Sequence, residues 1–314
     1  MSEIRIGISG WRYAPWRGVF YPPQLPQRAE LEFAAGKFRA IEINGTFYSL
    51  QRPESFTCWY DSTPSDFVFA VKGGRYITHL RRLNDIKTPL ANFFASGLFN
   101  LREKLGPLLW QFPPFFKYDR QRVAAFFKLL PHDTEAALKL ARGRDARMKG
   151  RSRLAVDTHR PIRHAMEIRH ESFRDASFIE LLRQYNVALV IADTAKRWPY
   201  IEDVTADFLY LRLHGEKQLY KSGYPDKSLD RWAERIVTWS RGEEAPNAVH
   251  ASPLPAPSAP QRDIYCFFDN TDAKLRAPFD AHKLTIKLGL RERPRSTPRR
   301  WKQPSAAQSS NPMY

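Results

Sequence analysis

Eight short apolar segments, most of them separated by a helical pattern, leave this chain very few folds. The clearest is FLYLRLHG at 208–215. Side chains alternate across a strand, so Phe208, Tyr210, Arg212 and His214 share one face while Leu209, Leu211 and Leu213 share the other. An oily face for covering helices, with polarity confined to the C-terminal end, is the pattern of a parallel barrel whose strand ends build a site. Comparable segments lie at 4–9, 40–44, 67–72, 107–112, 165–169, 188–193 and 264–270. Helical periodicity appears at 29–38, 53–61, 90–104, 120–130, 176–185, 229–240 and 273–288. Strand and helix in alternation form right-handed βαβ units, and eight units predict an α/β fold: a single closed (β/α)8 TIM barrel over 1–290. The sixth unit is the exception, because 195–206 contains Trp198 and Pro199 and reads as a loop. Asp119, Asp175 and Ser228 each precede an amphipathic run and are expected to cap the helices there.

Two segments read as inserted loops: the basic stretch 139–153 and the Pro/Ala/Ser-rich stretch 245–260. The last residues, 291–314, are rich in Pro, Ser, Arg and Gln and are expected to form a disordered basic tail. The net charge of +17 is concentrated in 139–153 and in this tail, so the remaining body is only moderately basic. Such an excess favours a polyanionic partner, with nucleic acid or a phosphorylated small molecule as the two candidates. No apolar run approaches the roughly 20 residues of a membrane span, and MSEIRIGISG has no signal-peptide core, so a soluble cytoplasmic protein without a membrane partner is expected. Cys58 and Cys266 offer neither metal spacing nor a disulfide framework and are expected to be buried.

The test of the barrel is whether the other strands also end in chemistry. Seven of the eight do. Glu42 and Asn44 end the second, with Tyr48 following; Lys72 ends the third, with Thr78 and His79 beyond it; Gln111 ends the fourth. Glu167 and Arg169 end the fifth, Asp193 the sixth, Arg212 and His214 the seventh, and Asp269 with Asn270 the eighth. Stability alone would seldom choose so many buried charges, since an apolar filling is often equally stable. Glu42, Glu167, Asp193, His79 and His214 are the candidate acids and bases. Lys72, Arg169 and Arg212, with Gln111 and Asn270, suggest a cationic cup for phosphate or carboxylate. Trp11 and Tyr13 after the first strand lead an aromatic rim suited to stacked bases or sugars. The arginines argue against a dense metal cluster, so no metal ligand is assigned and the cofactor is left open.

The segments GISGWRYAPWRGVFYP, AIEINGTFYSLQRPESFTCWYDSTPSDFVFAVKGGRYITHL, LGPLLWQFPP, AMEIRHESF, FLYLRLHG and YCFFDN together resemble the YecE-like family, domain of unknown function 72 (DUF72). The resemblance implies a TIM barrel related in shape to xylose isomerase and endonuclease IV, and brings no reaction with it. It implies a polar cluster at Glu42, Asn44, Tyr48, Lys72, Thr78, His79, Gln111, Glu167, Arg169, Asp193, Arg212, His214 and Asn270. Asp269 stands where the family usually has asparagine. Three functions remain in competition. The first is a nucleic-acid-associated phosphodiester hydrolase of nuclease type. The second is a metal-free isomerase, lyase or hydrolase of a small phosphorylated metabolite. The third is a non-catalytic receptor for an anionic ligand.

Overall fold

The computed structural model describes residues 2–271 and 275–290. The tail expected to be disordered lies outside them. Eight parallel strands close into a barrel in sequence order: β1 (Ile4–Ser9), β2 (Ala40–Ile43), β3 (Val68–Lys72), β4 (Leu105–Gln111), β5 (His164–Glu167), β6 (Val187–Asp193), β7 (Phe208–Leu213) and β8 (Asp263–Phe268). The seam runs from Ile4 opposite Ile264 to Ile8 opposite Phe268. All eight expected strands are present, though Asn44, Arg169, His214 and Asn270 fall one or two residues beyond their ladders. They therefore sit on the loops that crown the barrel.

Nine α-helices surround the described barrel: α1 (Glu30–Ala35), α2 (Gly45–Tyr48), α3 (Pro53–Asp61), α4 (Lys87–Ala95), α5 (Arg120–Leu129), α6 (Thr134–Ala141), α7 (Ala176–Gln184), α8 (Asp226–Ser240) and α9 (Ala277–Lys287). Asp119 and Asp175 cap α5 and α7 by accepting from the amides of Arg122 and Ser177. Ser228 does not cap α8, which starts at Asp226; its hydroxyl donates to Glu216 instead. The periodicity at 90–104 is not one helix. Gly97 breaks it at φ 114°, where a Cβ would lie 2.5 Å from the Cα of Pro53.

The strand parity separates two apolar layers. Odd positions of β6 and β7 join the large outer core under the helices, whereas Ala40, Ala70, Ala165, Ala188, Val190 and Ala192 fill the barrel with Tyr210 and Phe267. This run of alanines makes room for long side chains at the layer above, where Arg212 registers with Ala192 on one side and Phe267 on the other.

The segment 139–153 contains the end of α6, and α6 packs against α4; Met148 is buried and the Arg153 amide donates to Ala95. No helix separates β6 from β7, as the sixth unit suggested. The Pro-rich stretch has no helix or strand either, yet it is fastened to that same flank. Glu202 and Asp203, both buried, accept from the amides of Val249, Ala251 and Ser252, and Arg183 of α7 donates to the carbonyl of Leu254. Cys266 is buried, but Cys58 is exposed, contrary to expectation. Among the described residues no helix is long and apolar enough to cross a membrane.

Candidate active site at the barrel mouth

Arg212 stands at the centre. Its Nε and Nη2 donate to the two oxygens of Glu42 at 3.0 and 2.8 Å, its Nη1 donates to Glu167 Oε2 at 2.5 Å, and Nη2 also reaches Asp269 Oδ2 at 2.9 Å. β2, β5 and the residue just after β8 thus bring one carboxylate each to one guanidinium, whose planar fork matches them. The carboxylates are shared onward. Glu42 accepts from Ser9 Oγ at 2.8 Å and from the Tyr210 hydroxyl at 2.6 Å, while Glu167 accepts from Gln111 Nε2 at 2.8 Å and Arg169 Nε at 2.7 Å. Arg212, Glu42 and Glu167 are essentially out of solvent. Burial alone would raise the pKa of Glu167, but Arg169 and then Arg212 hold it well below the ordinary carboxylate range. Burial likewise opposes the charge on Arg212, and its carboxylate neighbours more than reverse that effect. Two guanidinium groups thus engage three carboxylates, and the excess negative charge is felt at longer range by Lys72.

His214 Nδ1 lies 3.1 Å from Asp269 Oδ2. Burial and the adjacent Arg212 lower the imidazole's pKa despite that carboxylate, so His214 is neutral at pH 7. Arg169, two residues beyond β5, lays its guanidinium 3.7 Å from the ring centre of Trp198 and donates from Nη2 to the Tyr220 hydroxyl at 3.3 Å.

Lys72 is treated differently. Its side chain shares the interior face with Ala70 and is buried, with Nζ 4.4 Å from the centre of the Phe47 ring. Among the described residues no carboxylate oxygen lies within 4.0 Å of that ammonium, although Glu42, Glu167 and Asp269 all act on it at longer range. Burial, followed by Arg212, lowers its pKa to about 8. The strand end is fixed by a Thr46 hydroxyl donating 2.7 Å to the Lys72 carbonyl and by Gly73, where a Cβ would lie 2.3 Å from the Trp110 indole. Beyond it a single π-helical turn, Tyr76–Leu80, presents Thr78 and His79, joined at 2.8 Å between Oγ1 and Nδ1. Burial and the charge of Lys72 lower His79 to about 4. Tyr13 donates 2.7 Å to the Ser9 carbonyl near the same mouth, and Asn44 Oδ1 is buried with no donor among the described residues.

Glu42, Glu167, Arg169, Arg212, His214, Gln111, Lys72, Thr78, His79, Asn44 and Tyr13 therefore gather at one end of the barrel. Asp193, Asn270 and Trp11 do not join them, while Tyr48 stands beside Phe47, the ring that touches Lys72 and His79. Asp193 is an odd residue of β6 and faces outward, toward Tyr224; burial raises it to about 6. Asn270 also faces away, donating to Asp280 of α9 at 2.8 Å and to the Ser222 carbonyl at 3.1 Å. Trp11 packs edge-on to Trp59 of α3 at 5.5 Å, and Tyr48 is exposed. Asp269 does belong, and parity could have found it: Tyr265, Phe267 and Asp269 share the inward face. The cup is also less cationic than expected, since Asp269 brings the carboxylates at Lys72, Arg169 and Arg212 to three. Tyr210 and Ser9 join by the alternation of β7 and β1, whereas Phe47, Trp198 and Tyr220 join through loop geometry that alternation alone does not give.

These features define the class: a closed (β/α)8 barrel with a buried Arg–carboxylate network at the C-terminal ends of its strands. Residues 5–305 match the model of the family described as protein of unknown function DUF72, and the chain belongs to that family. It is 31% identical over 192 residues to the UPF0759 protein YecE of Escherichia coli (strain K12), covering 55% of this chain and 65% of that one. It is 29% identical over 126 residues to the UPF0759 protein YunF of Bacillus subtilis (strain 168), covering 38% and 44%. The match spans less than two thirds of either relative's length. Among solved structures, a DUF72 family protein from Thermotoga maritima superposes with a TM-score of 0.67 at 25% identity, over 91% of this chain and 99% of that one. Another from Enterococcus faecalis gives 0.65 at 17%, over 92% and 96%.

Proposed function

We propose that the barrel mouth is the catalytic site of an enzyme that acts, without a metal of its own, on a small anionic substrate bearing phosphate or carboxylate. One observation carries this reading: a buried ammonium, Lys72, is left without an ion pair beside three carboxylates that Arg212 has already taken. A buried cation lacking a close counter-charge costs stability, and a substrate anion supplies what the fold withholds. Arg169 holds the anion with Lys72, and its contact with Trp198 fixes the plane of the guanidinium. His79 is neutral above about pH 4 and only half-buried, so at neutral pH it faces the substrate as a neutral imidazole that accepts a proton or hydrogen bond rather than as an acid. Glu42 and Glu167 are held by Arg212 and Arg169 and orient both guanidinium groups.

The test is thermal unfolding of the full chain with inorganic phosphate, pyrophosphate, sugar phosphates and small carboxylates. A rise in Tm is expected for at least one class, growing with the logarithm of ligand concentration above Kd, and lost in Arg169→Met. No rise with any of them contradicts the reading. Binding without turnover of the bound compound reduces the protein to a receptor.

A phosphodiester hydrolase acting on nucleic acid is the second reading. It is favoured by Arg147 and Arg151, which bring the basic stretch beside Tyr76 of the π-helical turn at the edge of a mainly apolar cleft of about 290 Å³. Oligonucleotide affinity should then fall with salt at a log–log slope of about 0.7 to 0.9 per phosphate contacted. A flat titration removes nucleic acid from consideration.

A further inference from the structure

A lysine that neutralises carboxylates sits on them; Lys72 does not. Glu42, Glu167 and Asp269 close on Arg212 at 2.5 to 3.0 Å, while the Lys72 amine is turned against the Phe47 ring. The peptide group that follows it is fixed twice, by Thr46 at the Lys72 carbonyl and by the amide of Gly73, which donates 2.8 Å to Leu109. It lies at the C-terminal end of a barrel strand, the end at which such barrels place their reactive groups. The groups acting on it are Arg212 from β7, Glu42 from β2, Glu167 from the end of β5 and Asp269 after β8, while Lys72, Arg169, Glu167 and Arg75 all act on His79 of the π-helical turn. Burial makes the neutral amine accessible near pH 8, whereas an arginine at this position would stay charged.

We infer that Lys72 is an amine nucleophile that condenses with the carbonyl carbon of the small anionic substrate to form an imine. The inference rests on the anionic-substrate reading above and adds the substrate's second feature, an aldehyde or ketone beside the acid group. In the step, the neutral amine forms a C–N bond and the carbonyl oxygen takes a proton. The resulting carbinolamine then loses the second amine proton and its hydroxyl as water, leaving C=N. No oxidant, reductant or net acid is consumed. Arg169 holds the acid group, and His79 relays the proton between nitrogen and oxygen.

The experiment is reductive trapping. The full chain is incubated at pH 7.5 with glyoxylate, pyruvate or dihydroxyacetone phosphate in cyanoborohydride, and adducts are located by peptide mass mapping. Labelling at Lys72 is expected to saturate with carbonyl concentration and to exceed that at an exposed lysine by roughly tenfold or more, because an ordinary lysine is almost wholly protonated there. Lys72→Arg, which keeps a cation but has no nucleophilic amine, should abolish the adduct. Should the arginine not fit, Lys72→Met still abolishes the adduct. If a carbonyl compound raises Tm yet leaves no adduct on Lys72, or if every lysine is labelled alike, the nucleophile is overturned and the anion site stands. If neither Tm nor mass changes with any compound, both fail.

Discussion

The barrel carries an arginine between carboxylates at each of its ends, and the two arrangements behave differently. At the N-terminal end Arg163 bonds Asp263 at 2.7 Å and Asp207 at 3.2 Å, with roughly a quarter of each of Arg163 and Asp263 in water and about half of Asp207. At the C-terminal end Arg212 bonds Glu42, Glu167 and Asp269 with no solvent contact of its own. The first is a rim pair of modest worth that trims the barrel's edge. The second is expensive to desolvate and tolerable only because nearly every oxygen and nitrogen is engaged. Expense at one end alone, and that end the one with the unpaired Lys72, is what a site built for a ligand looks like.

The comparison breaks most readily at its centre. Arg212→Met leaves three buried carboxylates facing one another and should cost about 3 to 5 kcal/mol in urea unfolding. A loss no larger than that of Arg163→Met would mean the two ends are equivalent. Asp193 sharpens the distinction between inward and outward charges. Its folded pKa near 6 exceeds the ordinary 3.8, so the folded state binds more protons between these values and wild-type stability falls as pH rises from about 4 to 6. Asp193→Asn should abolish that decline and be more stable at pH 7 by roughly 1 to 3 kcal/mol, with ligand binding intact. Loss of binding would put Asp193 back in the site. The smallest effect belongs to Arg163→Met, at about 1 kcal/mol, with no change in ligand-induced Tm.

The barrel was legible because its strands are oily on both faces and its helices are not, so eight strands and most of the helical layer follow from alternation and period, α2, α6 and the break at Gly97 excepted. The mouth was legible up to parity. Arg212 and Glu167 follow from the alternation of their strands, whereas Asn270 was chosen over Asp269 although Tyr265 and Phe267 put Asp269 inward. What sequence could not give is the pairing itself. That Arg212 takes all three carboxylates and leaves Lys72 aside depends on barrel register and on the alanines beneath, which only closure of the sheet brings together. Loop partners such as Trp198 and Tyr220 have no periodic signal to betray them.

The most direct test needs no ligand: the unfolding free energy of Lys72→Met against wild type, measured from pH 7 to 10. Folded Lys72 titrates near 8 and an unfolded lysine near 10.5, so the folded state binds fewer protons over that interval and wild-type stability rises with pH through it. The variant should be at least as stable as wild type at pH 7, by up to about 3 kcal/mol, with the gap closing as pH approaches 10. A variant less stable than wild type by more than about 1 kcal/mol at pH 7 would show that the ammonium holds the fold together, and would contradict a mouth arranged to receive an anion.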